Sequence, residues 1–127
     1  MVLISLGVNA SLGGTERMAI AARDPLLDIQ GTIEGARLYP GELDVTHPYV
    51  SPLNGDFYRL APMLVFSGTS DLLYPDSVDL AAKARATGVP VELHLRLDQP
   101  HNYAGLPTPE GRQARAIILR AAAKGLA

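Results

Sequence analysis

The 127-residue sequence contains no cysteine and no tryptophan. Without cysteine there is no disulfide framework, no thiol nucleophile and no thiolate metal site. Aromatic residues make up 6% of the chain, so its core must be built chiefly from aliphatic side chains. Blocks of like charge are missing too. Eleven Lys and Arg stand against 13 Asp and Glu, a formal net charge of −2, and the basic footprint of a nucleic-acid binder is absent. No apolar run approaches the roughly 18 residues that a membrane-spanning helix needs. No Lys or Arg precedes Arg17, and Ser5, Gly7 and Asn9 interrupt the apolar start. The basic leader of a secretory signal is therefore not seen, and a cytoplasmic protein is the expectation. The 3 histidines are dispersed, without the spacing of a metal site.

What the chain does have is 47% hydrophobic and 19% charged residues in a length that suits one small unit spanning residues 1–127. Its 12 Gly and 10 Pro fall between apolar runs, as punctuation between strands and helices. Val2-Leu3-Ile4-Ser5 reads as a short buried strand, followed by a loop as far as Asp24-Pro25. Asp28 is placed to cap a helix over 29–39, ended by Pro40-Gly41 and weakened by Gly31 and Gly35, each by roughly 1 kcal/mol relative to Ala. Residues 42–62 carry prolines and no periodicity and read as a long loop. Met63-Leu64-Val65-Phe66 is uniformly apolar, as a strand covered on both faces would be, and Gly68 stops it. A helix over 76–87 has acids early, Lys83 and Arg85 late, and Gly88 beyond its end. In 91–97 the strict alternation predicts that Val91, Leu93, Leu95 and Leu97 share one buried face of a strand near a sheet edge. Thr108 and Pro109 open a last helix whose Ala114, Ile117, Ile118 and Ala121 form one stripe. The order of elements predicts an α/β fold with about three parallel strands, right-handed crossovers and flanking helices.

In an open parallel sheet, reactive groups collect beyond the carboxyl ends of the strands. Asp71 and His101 both fall there, in the loops after the second and third strands. A carboxylate beside an imidazole fixes its tautomer and stabilises the imidazolium formed when it takes a proton from a nucleophile. The other candidates read as structural: His94 lies mid-strand, His47 precedes Pro48 in the long loop, and Ser70 sits beside Asp71 without the tight elbow of a nucleophile. Tyr39, Tyr49, Phe57 and Tyr58 could line an apolar pocket, but read first as packing anchors of the long loop.

At these residues a resemblance emerges. Asp24-Pro25-Leu26-Leu27, Val50-Ser51-Pro52-Leu53-Asn54-Gly55-Asp56, the stretch from Pro62 to Leu72, Gly88-Val89-Pro90-Val91-Glu92-Leu93-His94 and Pro100-His101 run in order at fitting distances. Together they resemble the C-terminal portion of an α/β-hydrolase of the hormone-sensitive-lipase-like, bacterial esterase family. The resemblance implies strands six to eight of the full fold. It also implies a Ser-His-Asp hydrolase of small-molecule carboxylic esters that needs no cofactor, with Asp71 as catalytic acid and His101 as general base. Leu6 and Asn9 depart from the family, which often has a proline and an aspartate after that strand.

The family's G-x-S-x-G nucleophile elbow and Gly-rich oxyanion loop have no counterpart in the sequence. Without them the 127 residues alone are expected to be inactive. A second reading is a non-catalytic interaction or complementation module that pairs through its first strand with an upstream hydrolase half or another copy; the resemblance separately implies a homodimer through the last strand. A flavodoxin-like binding domain would need a phosphate-cradling loop directly after the first strand, and Gly13-Gly14 comes too late for one.

Overall fold

In the computed structural model, which describes residues 1–13 and 15–125, three strands form one parallel sheet in the order β1 (Val2–Ile4), β2 (Met63–Gly68), β3 (Val91–Arg96). The alternation of β2 explains how its two faces are covered. Met63 and Val65 point into a cluster with Val8, Phe57, Leu80, Ala84 and Val89. Leu64 and Phe66 point the other way, against Tyr103, Ala104, Ala114 and Ala121. Helix α3 (Tyr74–Ala86) thus covers one face and α4 (Pro109–Ala123) the other, so a uniformly apolar sequence was required in β2.

Caps act where their residues predict. Asp28 accepts the Gly31 N–H at 2.6 Å to open α2 (Ile29–Leu38), and Thr108 accepts the Gly111 N–H at 3.1 Å to open α4. Helix α3 ends at Gly88, φ +78°. There the Val89 N–H reaches Ala84 O at 2.8 Å and the Gly88 N–H reaches Arg85 O at 3.1 Å, so two late carbonyls are satisfied before β3 begins. The long connection before β2 is pinned: Lys83 Nζ donates to Leu53 O and Gly55 O, both at 2.7 Å, while lying 4.8 Å from the centre of the Phe57 ring.

Several expectations are corrected. The segment before Asp24 contains a helix, α1 (Thr15–Ala21), too short for a periodic signature and held instead by buried Arg17 and Ile20. The loop over 42–62 includes a 3-10 turn at Pro52–Asn54. Helix α3 starts at Tyr74 rather than at 76, and Asp76, an acid of its first turn as expected, is fully buried. In β3 Val91 and Leu93 pack against the core cluster that includes Leu80 and Ala84 of α3, whereas Leu95, 41% exposed, and Leu97, which follows the strand and is 74% exposed, lie outside that cluster. Strand β1 lies at the sheet edge opposite β3 with Val2 and Ile4 exposed rather than buried. Phe57 is a core anchor, whereas Tyr39, Tyr49 and Tyr58 are exposed. His94 stacks flat on Phe66, ring centres 4.6 Å apart, which accounts for it structurally.

Candidate active site

The loops that follow β2 and β3 are joined to each other before any side chain is considered. In-register pairing carries Gly68 alongside Arg96, and the ladder continues past the strands. The Thr69 N–H donates to Arg96 O and the Ser70 N–H to Gln99 O, both at 3.0 Å, and Thr69 Oγ1 accepts the Asp98 N–H at 2.9 Å. Gly68 is a requirement of this arrangement. A Cβ there would stand 2.0 Å from Gln99 O and 2.9 Å from Pro100 O, so only glycine lets the second loop cross. Two non-glycine residues of that loop, Asp98 and Asn102, take left-handed backbone angles of φ 56° and 60°. Such conformations are uncommon and persist where the surroundings hold them.

The crossing brings Asp71 and His101 together. His101 Nδ1 lies 3.2 Å from each oxygen of the Asp71 carboxylate. A carboxylate can only accept, so the shared proton resides on Nδ1 and Nε2 is the ring's free basic site. Asp71 is fully buried and its Oδ1 also accepts the Leu73 N–H at 2.8 Å, which orients the carboxylate. Its hydrogen bond to Asp71 holds the His101 pKa above the ordinary imidazole value, with the charges of Asp71 and Asp24 adding to the effect and partial burial opposing it. The arrangement is that of a proton acceptor with a fixed tautomer and a stabilised conjugate acid.

Residues from the chain between β1 and α2 surround the pair, and the sequence reading did not single them out for this role. Ser5, itself left-handed at φ 46°, accepts the Asn102 N–H on its Oγ at 2.7 Å. Asp24 Oδ2 accepts the Leu72 N–H at 2.7 Å, and Arg17 Nη1 donates to Leu72 O at 3.1 Å. Arg17 in turn pairs with buried Asp76, whose Oδ2 accepts the N–H groups of Val8 and Asn9 at 2.7 and 3.0 Å. Only the Asp24-Pro25 turn signal hinted at any of this, since the partners are far apart in sequence.

A cavity of about 360 Å³ is lined by Gly7, Leu12, Ala36, Tyr39, Tyr49 and Leu73 among others, and by neither Asp71 nor His101. Leu73 is the residue whose N–H anchors Asp71, which places the cavity next to the carboxylate loop. Ser70 uses its backbone N–H in the loop ladder, and His47 bonds the Tyr49 N–H within its own loop, so neither belongs to the pair. Among the described residues no group of three or more His, Asp or Glu is placed to hold a metal ion. No helix among them is long and apolar enough to cross a membrane.

Comparison with known proteins agrees with this architecture. The sequence is 30% identical over 115 residues to an acetyl-hydrolase of Streptomyces hygroscopicus, covering 89% of this chain and 38% of that protein. It is 35% identical over 111 residues to a triacylglycerol lipase of Mycobacterium tuberculosis, covering 87% of this chain and 25% of the lipase. The chain therefore spans well under half the length of these relatives. Among solved structures it superposes on an esterase of the bacterial hormone-sensitive lipase family with a TM-score of 0.92 at 30% identity, covering 99% of this chain and 43% of that one. A hormone-sensitive-lipase homologue from a metagenome library gives 0.88 at 29% identity, covering 99% and 44%. A family model described as alpha/beta hydrolase fold matches residues 1–105. With that model spanning most of its length and hormone-sensitive-lipase-like esterases and lipases as its relatives, the chain belongs to the α/β-hydrolase fold family.

Proposed function

We propose that this chain supplies the acid and the histidine of a Ser-His-Asp carboxylic-ester hydrolase, corresponds to the C-terminal portion of such an enzyme, and is inert by itself. The observation that carries this reading is the contact of His101 Nδ1 with both oxygens of buried Asp71 at 3.2 Å. In the complete machine, His101 Nε2 takes the hydroxyl proton of a serine outside these residues as the serine oxygen bonds to the ester carbonyl carbon. The imidazolium is held by Asp71 and returns that proton to the leaving alcohol as the carbon–oxygen bond breaks. A water molecule then repeats the sequence on the acyl-enzyme, with His101 again as base. The apolar cavity bounded by Leu73, Tyr39 and Tyr49 supports a place for a short acyl chain of the ester, its size being near the lower end of ligand pockets, about 300 to 1,000 Å³.

A fluorophosphonate probe tests the inertness: the isolated chain should carry no stoichiometric label on any serine, and such a label would overturn the reading. In a chimera with the serine-bearing part of the acetyl-hydrolase relative, Asp71→Asn should lower kcat on p-nitrophenyl butyrate by something on the order of 10⁴-fold. Unchanged kcat would remove Asp71 from the mechanism.

Exposure of Val2 and Ile4 on the β1 edge supports the second reading, a module that pairs through that strand. A chain that stays monomeric in light scattering up to high concentration would count against it.

A further inference from the structure

Leu72 is the residue directly after Asp71, buried, and both of its backbone polar groups are taken by side chains from a distant part of the sequence. Asp24 Oδ2 receives its N–H at 2.7 Å, and the Arg17 guanidinium donates to its carbonyl at 3.1 Å. Neither partner is free to wander. Asp24 Oδ1 is held by the N–H groups of Leu26 and Leu27 at 2.8 and 3.0 Å. Arg17 is anchored by Asp76 and by Gly13 O at 3.3 Å, and Asp76 is tied to Val8 and Asn9. A loop peptide normally satisfies its N–H and C=O with water or a neighbouring turn. Here two charged groups grip the two peptide units on either side of Leu72, directly after the carboxylate residue, and charge-assisted bonds of this kind are the stronger sort.

We propose that Arg17 and Asp24 are positioning residues that act through the Leu72 backbone to hold the Asp71 carboxylate against His101. This rests on the reading of Asp71 and His101 as acid and base, and it assigns the α1 region a task in that reaction which no motif of the sequence announces. If the grip on Leu72 loosens, the peptide after Asp71 can rotate, the 3.2 Å contacts lengthen, and the imidazole loses its fixed tautomer. The carboxylates acting on His101 are Asp71, by hydrogen bond and charge, and Asp24, by charge alone.

The test uses the full chain and two NMR signals of His101: the Hδ1 proton, protected from solvent only while bonded to Asp71, and the Hε1 titration midpoint. In the parent both should report the bonded state, and Asp71→Ala, which leaves no acceptor, should abolish the Hδ1 signal. If Asp71→Ala leaves it intact, the reading of the pair itself fails. Given that control, Asp24→Ala should broaden or remove the Hδ1 signal and bring the midpoint down toward about 6.5, the free imidazole value. Asp24→Asn keeps an oxygen for the Leu72 N–H, so it should retain the signal and lower the midpoint less. Because Asp24 also raises the midpoint by charge, the Hδ1 signal decides: an Asp24→Ala protein that melts as the parent does yet keeps that signal unchanged overturns the proposal. If Asp24→Ala does not fold, Asp24→Leu, which fills similar space but offers the Leu72 N–H no acceptor, is read in its place, and an unchanged Hδ1 signal overturns the proposal equally. Arg17→Lys keeps the charge beside Asp76 but cannot also span to Leu72 O, and a fully parental His101 spectrum in that variant would remove Arg17 from the grip.

Discussion

Replacing Gly68 by alanine perturbs the site without touching a reactive group. The new Cβ would stand 2.0 Å from Gln99 O, 2.5 Å from Gln99 C and 2.9 Å from Pro100 O. All of these are backbone atoms, so no side chain can rotate out of the way, and ordinary carbon–oxygen contact needs a retreat of roughly 1 Å or more. The retreating segment immediately precedes His101 and includes the carbonyl that accepts the Ser70 N–H at 3.0 Å. Strain of this kind typically costs about 1 to 3 kcal/mol. A 1 Å displacement of a reacting group lowers a rate by as much as about 100-fold. Gly68→Ala should therefore melt at lower temperature, and the His101 titration midpoint should fall from its raised position toward about 6.5. The decisive assay is the Hε1 titration, because it reads the Asp71 contact without needing a nucleophile. A Gly68→Ala chain whose His101 titrates as in the parent would show that the crossing of the two loops does not set the geometry of the pair.

Ser5→Ala removes the acceptor of the Asn102 N–H and leaves that donor without a partner beside β1, a loss of about 1 to 3 kcal/mol by denaturant melts. Unchanged stability would mean that Asn102 is satisfied otherwise. At Gly111 a Cβ would meet Leu106 O at 2.2 Å and Tyr103 O at 2.7 Å, so Gly111→Ala should push α4 off the turn at Tyr103–Gly105 and destabilise by about 1 to 3 kcal/mol, read in the same melts. The raised His101 pKa predicts a sign for pH. Stabilisation by the protonated ring is complete below the unfolded value of about 6.5 and disappears as pH rises through the folded value, so the parent should gain melting temperature on going from pH 9 to pH 6. Asp71→Asn should flatten that gain, and an equal slope in both proteins would contradict the linkage.

Much of the fold was legible because local rules and tertiary structure agree in the same places. The apolar run of β2, the Asp28 and Thr108 caps and the Gly88 stop are each set by the residue itself and its immediate neighbours, and each acts as expected. The order of strands and helices put Asp71 and His101 beyond strand ends and the resemblance paired them, while the structure supplied the adjacency of β2 and β3 that brings the two loops together. Local pattern misled where burial depends on what lies across the sheet. The alternation in β3 marks Leu95 and Leu97 as inward, but both lie outside the cluster against which Val91 and Leu93 pack. The first strand reads as buried by composition, and its exposure follows from having one neighbour only.

The amino-acid sequence alone determined the order of the three strands and of α2, α3 and α4, the caps of α2 and α4, and which carboxylate and imidazole follow the strands, because backbone propensity, caps and periodicity act over a few residues. Tertiary structure decided the rest. That Gly68 is a crossing point, that Ser5 meets Asn102, and that Arg17 and Asp24 grip Leu72 are facts about chain segments up to 97 residues apart. No short-range preference encodes such meetings; they exist only once a parallel sheet has brought the ends of its strands to one rim.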